Sequence, residues 1–368
     1  MNLDEFTSFA KLDSLNMLGE IDNLPDQLRF AWELGQKLSE PWNDTRPAQD
    51  SIRQVILCGM GGSAIGADLV SAYLAPISPV PIIVWRDYGM PAWAHGPETL
   101  VIVSSHSGNT EEMLDAFESA HKAGGLLLAI CTGGELQQRA LASGLPLWMF
   151  EHAGQPRAAV GFSFGLLLAA LSRLGLTGES SQTTAGAIAA AGSAMKKQQE
   201  TLLSHLPAVK NPAKRQAGQL VGRWVNVYGA GYLSPVARRW KTQLNELAKA
   251  GAGFEILPEA DHNALAGLGF PIDIQSHTLA IFLRSTYNDP RNHLRADLTR
   301  HTFTVEGLNT DVYEAKGNSP LEHMWTALHF GDYVAYYLAM IYGVDPTLVE
   351  TLENFKAAMK VASGHVSL

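Results

Sequence analysis

Two short segments of this 368-residue chain put glycines and hydroxyls where a strand gives way to a helix. Gly59-Met60-Gly61-Gly62-Ser63-Ala64 follows the apolar run Gln54–Cys58 and precedes an Ala- and Leu-rich stretch. Ser104-Ser105-His106-Ser107-Gly108-Asn109-Thr110 follows the apolar Thr99–Val103 and leads into Glu111-Glu112. Glycines in such loops permit positive φ and close approach of a ligand, and a helix start offers unpaired N–H groups to an anion. Taken alone, the first loop suits a dinucleotide, with Asp87 where a ribose-binding acid would lie, or a phosphate monoester, or a plain tight turn. The second loop points to the phosphate monoester. A helix cap uses one hydroxyl, whereas Ser105, Ser107 and Thr110 together can surround a phosphate without any Lys or Arg. Gly61, Gly62 and Ser63 complete the expected cradle.

Three further residues have the chemistry of proton transfer and charge stabilisation. Glu246, among Leu244, Leu247 and Ala248 on a helical stretch, suits a general base, or else a solvated helix residue paired with Lys241 or Lys249. Arg157 follows Pro156 and precedes an apolar helix, and its permanent charge suits a developing oxyanion or the capping of a domain seam. His262, in the polar turn Asp261-His262-Asn263, is of a residue type suited to proton exchange, or simply hydrogen-bonds the turn. No metal or other cofactor is expected: the twelve histidines lack ligand spacing, and Cys58 and Cys131 are too few for a disulfide framework or a Cys-rich zinc site.

The elements that must position these residues alternate along the chain. Strand candidates are Gln54–Cys58, Pro81–Trp85, Thr99–Ser104, Leu126–Cys131 and Leu147–Phe150, with helices starting near Ser63, Thr110 and Leu136 and another over Ala158–Leu174. A helix over 25–40 is predicted to start near Pro25. The second half repeats the scheme: a helix over Ala187–His205, the run Trp224–Tyr228 ending in glycines, and a helix through Lys249. The strands Gly253–Leu257, Thr278–Leu283 and Thr302–Glu306 follow, and then mostly helix. The pattern implies an α/β fold with parallel sheets covered on both faces, divided near Gly178 into residues 1–178 and 179–368.

Composition narrows the partners. The 27 Lys+Arg against 36 Asp+Glu give a formal charge of −9, which disfavours nucleic acid. The acidic, polar N-terminus is unlike a signal peptide, and the longest apolar stretch, Gly161–Ala170, is half of the roughly 20 residues a membrane span needs. A cytoplasmic protein with no membrane contact is expected.

GMGGSAIGADL at 59–69 and SHSGNTEE at 105–112 resemble the sugar isomerase (SIS) domain. QPRAAVGFSF at 155–164, Asn245-Glu246 and PEADHN at 258–263 resemble the narrower bifunctional phosphoglucose/phosphomannose isomerase family. The resemblance runs from about Leu24 to the terminal helix. It implies two SIS-type doubly wound, flavodoxin-like subdomains and metal-independent interconversion of glucose 6-phosphate, and mannose 6-phosphate, with fructose 6-phosphate through an enediolate. It implies Glu246 as base, Arg157 as the cation at the intermediate, His262 delivered across a homodimer interface to the partner's site, and Lys356 on the last helix, placed at Thr347–Lys360. The chain departs from the family at His106, commonly an aromatic, at Ala64, often Gly, and at Leu247, usually Asn. A non-catalytic SIS phosphosugar sensor would keep the cradle and have no use for Glu246, Arg157 and His262. A nicotinamide-dependent dehydrogenase would use the first glycine loop alone.

Overall fold

The computed structural model describes residues 2–39 and 51–363. The first half runs α1 (Met17–Lys37), β1 (Gln54–Cys58), α2 (Gly61–Leu74), β2 (Ile82–Trp85), β3 (Thr99–Ser105), α3 (Glu111–Lys122), β4 (Leu126–Cys131), α4 (Gly134–Ala142), β5 (Leu147–Met149) and α5 (Val160–Arg173). Its strands form a parallel sheet in the order β2-β1-β3-β4-β5. The second half runs α6 (Ser181–Gln199), α7 (Pro212–Leu220), β6 (Trp224–Ala230), α8 (Ser234–Glu246), β7 (Ala252–Leu257), α9 (Ile272–Gln275), β8 (Thr278–Arg284), α10 (Pro290–Val305), β9 (Asn309–Glu314), α11 (Pro320–Tyr342) and α12 (Glu350–Ser363). Its sheet, again parallel, has the order β7-β6-β8-β9.

Side-chain alternation explains the layers. On β1, Val55 and Leu57 enter one apolar cluster while Ile56 and Cys58 enter another beneath α3 and α4. On β6, Val225 and Val227 join the same cluster as Val55 and Leu57, whereas Tyr228 and Ala230 face Phe282 and Phe303 on the outer side. One core therefore joins the two sheets. The helix α11 runs through it, buried at every position from Leu321 to Met340, and packs against α1, α6, α7 and α8. The expected α/β class with two flavodoxin-like parallel sheets is what the chain adopts, since 2-1-3-4-5 is the flavodoxin order and 3-2-1 that of a dinucleotide-binding half.

Several boundaries differ from expectation for local reasons. The first helix starts at Met17, about two turns before Pro25. A proline has no N–H for the carbonyl four residues back. That carbonyl, of Ile21, instead accepts from His329 Nε2 on α11 at 2.8 Å, and the next one, of Asp22, accepts from Gln199 Nε2 at 2.8 Å. The stretch 302–306 is helix and not strand. Asp289 caps α10 through the Arg291 N–H, Thr302 and Thr304 donate back to the carbonyls of Leu298 and Arg300, and the fourth strand of that sheet is β9. Ser180 accepts the Thr183 N–H and starts α6 at Ser181, earlier than expected. The helix α8 stops at Glu246, and α12 starts at Glu350.

Candidate functional site

The two hydroxyl-rich loops leave the carboxyl ends of β1 and β3, which are hydrogen-bonded neighbours with Cys58 opposite Val103. The strand order changes direction between them, and there a doubly wound sheet opens a crevice for ligands. Gly61 takes φ +51, and a Cβ at Gly62 would lie 2.4 Å from the Pro156 carbonyl oxygen, so the start of α2 lies directly on the segment carrying Arg157. Ser63 is buried behind it.

The second loop is fixed from below. Its turn rests on the loop after β4: the carbonyl of His106 accepts from the Thr132 N–H at 3.1 Å and the Thr132 hydroxyl at 2.7 Å. A Cβ at Gly108, where φ is +64, would meet the Gly133 carbonyl oxygen at 1.8 Å. Ser105 is buried and its hydroxyl donates to Thr110 Oγ1 at 3.1 Å. Thr110 holds the N-cap position of α3 yet makes no side-chain cap bond. Ser107 is exposed and accepts the Asn109 N–H at 3.2 Å. The structure thus brings Gly61, Gly62, Ser63, Ser105, Ser107 and Thr110 to the mouths of two adjacent strands.

His106 adds a feature that sequence reasoning registered only as a departure. Its Nε2 lies 2.9 Å from His152 Nδ1, and His152 Nε2 lies 3.4 Å from Glu20 Oε2 on α1. Burial, with the neighbouring His152, pushes the His106 pKa down to about 4, against a smaller opposing pull from Glu20.

Arg157 stands in the short 3-10 turn Pro156–Ala158 ahead of α5 and is 5% exposed. Its Nη1 lies 3.4 Å from Glu246 Oε2 at the end of α8, and that carboxylate side chain keeps 26% of its surface open. Its Nη2 donates to the carbonyls of Pro346, at 3.3 Å, and Thr347, and its Nε is buried without a partner. Burial lowers the Arg157 pKa, Glu246 works against that, and Arg239 adds to it. Arg239 donates to the Arg157 carbonyl at 2.8 Å and forms a buried two-point pair with Asp332 of α11. Lys249, three residues past Glu246, donates to the carbonyls of Glu246 and Leu247 and to that of Asp345.

The remaining two expected residues are elsewhere in the chain. His262 is exposed at the end of the 3-10 turn Glu259–His262, beyond the carboxyl end of β7. Because α8 returns from the end of β6 to the start of β7, Glu246 and His262 occupy opposite ends of the second sheet, on the order of 20 Å apart along α8 or β7. Lys356 is exposed on α12 among exposed Leu352 and Phe355. Neither joins Glu246 and Arg157 within one chain. Arg239 and Asp332 were not singled out from sequence, and Lys249 was read only as a surface partner of Glu246. The usable signal was Asp332, a lone acid in the middle of an apolar helix, and Arg239, two turns before Glu246 on the same face of α8. Among the described residues no group of three or more His, Cys, Asp or Glu converges as metal ligands would, and no helix is long and apolar enough to cross a membrane.

Comparison with known proteins shows the family. The bacterial phospho-glucose isomerase C-terminal SIS domain matches residues 209–359. A bifunctional phosphoglucose/phosphomannose isomerase of Caldicellulosiruptor bescii is 35% identical over 92% of this chain and 98% of its own. This chain belongs to that family. Another member, from Aquifex aeolicus, is 31% identical over 87% of this chain and 94% of its own. The phosphoglucose/phosphomannose isomerase family thus accounts for both halves, as the resemblance of 155–164 and 258–263 implied. Among solved structures, a glucose-6-phosphate isomerase like protein from Thermus thermophilus shares the fold, with a TM-score of 0.60 at 17% identity over 94% of this chain and 98% of that one.

Proposed function

We propose that the protein interconverts glucose 6-phosphate, and mannose 6-phosphate, with fructose 6-phosphate by metal-independent isomerisation through an enediolate. The observation that carries this reading is the contact of Arg157 with Glu246 at 3.4 Å on a segment that itself packs against Gly62 of the phosphate cradle. The phosphate is held by Gly61, Gly62, Ser63, Ser105, Ser107 and Thr110, which fixes the far end of the sugar and leaves the near end to be positioned. Glu246 removes the C2 proton of the open-chain aldose. The electron pair moves into the C1–C2 bond, the carbonyl oxygen gains negative charge, and Arg157 supplies the counter-charge. Returning the proton to C1, with the O2 proton passing to O1, completes the ketose. Each aldose loses its own C2 proton to the same enediolate, so one base can serve both.

In this reading residues 1–178 hold the phosphate and residues 179–368 carry the base. The enzyme works in the cytoplasm as a homodimer, with His262 of each chain opening the sugar ring in the other's site and Lys356 adding positive charge there. The separation of Glu246 and His262 within one chain supports the exchange. A phosphosugar sensor is not favoured, because it has no use for a guanidinium held against a half-open carboxylate. The deciding experiment is a coupled assay with each aldose 6-phosphate, with and without chelator, on wild type and Glu246→Gln. A fall in kcat of about 10²–10⁴ with little change in fructose 6-phosphate affinity is expected. Near-normal turnover by Glu246→Gln would sink the assignment of the base.

A further inference from the structure

Lys249 is one of only two non-glycine residues among those described with a left-handed backbone, at φ +54; the other is Asn16, a residue type that adopts it readily. The turn folds the lysine side chain back under the end of α8. There Nζ donates to the carbonyls of Glu246 at 3.0 Å and Leu247 at 3.3 Å, and to that of Asp345. One and two residues beyond Asp345, the same loop gives the carbonyls of Pro346 and Thr347 to Arg157. Glu246 is thus held at both ends, its main chain by Lys249 and its carboxylate by Arg157, and both cations are anchored on one loop.

We propose that Lys249 is a positioning residue for isomerisation: its ammonium group ties the last turn of α8 to the 345–347 loop and so keeps the Glu246 carboxylate at Arg157. This rests on the reading of Glu246 as the base. Three carbonyls around one nitrogen require three N–H donors, which only the protonated amine has. Lys249 faces Arg157, Glu246 and Asp345, and it shares a cavity of about 480 Å³ with Arg223 and Tyr342. Burial and then the repulsion of Arg157 bring its pKa down to about 8, with Asp345 and Glu246 pulling the other way. The protonated, three-donor form is lost as pH rises through that value, and with it the placement of Glu246.

The test is the pH profile of kcat, with fructose 6-phosphate affinity measured alongside, for wild type, Lys249→Met, Lys249→Arg and Glu246→Gln. In wild type kcat should fall as pH rises past about 8. Lys249→Met should lose about tenfold or more in kcat at neutral pH while binding fructose 6-phosphate within about threefold of wild type, because the cradle is on the other sheet. A guanidinium stays charged, so Lys249→Arg should keep its rate at alkaline pH where wild type has lost it. Should Lys249→Met lose binding together with rate, Lys249→Arg decides the matter by itself. Wild-type kcat in Lys249→Met, or a wild-type alkaline limb in Lys249→Arg, overturns the proposal when Glu246→Gln is inactive. Near-normal Glu246→Gln overturns the base reading instead.

Discussion

Arg239 Nη2 donates to the main-chain carbonyl of Arg157 at 2.8 Å, while the same guanidinium meets both carboxylate oxygens of Asp332 at 3.1 and 2.8 Å. Arg157 is therefore set by a buried ion pair that reaches from α8 to α11. Asp332 is 2% exposed and Arg239 is 2% exposed, so neither charge has water to fall back on.

Replacing Asp332 by Asn leaves that guanidinium uncompensated in the core. A loss of about 3–5 kcal/mol in stability is expected, read as a lower urea midpoint. A fall in kcat should accompany it under conditions where the variant is still folded. Normal kcat in folded Asp332→Asn would mean that the pair sets stability alone and not the placement of Arg157.

The cradle gives a second prediction. Ser107→Ala or Thr110→Ala removes one hydroxyl donor to a charged phosphate, worth about 1.5–3 kcal/mol. Fructose 6-phosphate affinity should drop about ten- to a hundredfold, with less effect on kcat. Thr110→Ala also deprives the buried Ser105 hydroxyl of its acceptor at 3.1 Å, so it should be the more damaging of the two. Unchanged affinity in both variants would place the phosphate elsewhere.

A third prediction uses the His106–His152–Glu20 chain. The folded state holds His106 neutral, with a pKa of about 4 against the ordinary 6.5. The unfolded chain takes up its proton first, so this residue's contribution to stability is intact above pH 6.5 and is lost as pH falls toward 4. His106→Phe keeps an aromatic ring against Phe150, whose ring centre is 5.8 Å away, and cannot titrate. The decline in thermal stability between pH 6.5 and 4.5 should be shallower in the Phe variant. Parallel declines in the two proteins would show that His106 titrates normally.

These sites were not equally legible in the sequence. The cradle is local: Ser105 and Thr110 are five residues apart, and a strand, a glycine and a helix start announce their meeting. Arg157 and Glu246 are 89 residues apart, and only the family resemblance joined them, because no local pattern encodes a contact between two halves. The stretch Thr302–Glu306 looked like a strand since β-branched residues favour strands. Hydroxyl bonds to carbonyls four residues back let Thr302 and Thr304 stay helical. Pro25 looked like a helix start, and nothing near it signals that His329 would take up the carbonyl it leaves free. Lys249 was passed over as the surface partner of a helix acid, whereas its left-handed backbone turns it onto carbonyls.

The last prediction follows from the distance between Glu246 and His262. The helix that ends at Glu246 has 13 residues, which spans about 20 Å, and His262 lies beyond the far end of the next strand. If each site takes Glu246 from one chain and His262 from the other, Glu246→Gln and His262→Ala should each be nearly inactive as homodimers. In a mixed dimer one site receives both defects and the other receives neither. Random mixing of equal amounts makes about half of the dimers mixed, each with one intact site. About a quarter of wild-type activity should then return after the two inactive proteins are unfolded and refolded together. The double variant Glu246→Gln/His262→Ala, refolded with either single variant, should restore nothing. An inactive mixture from two well-folded, singly inactive variants would show that His262 serves its own chain's site. A His262→Ala homodimer with full activity would remove it from the mechanism.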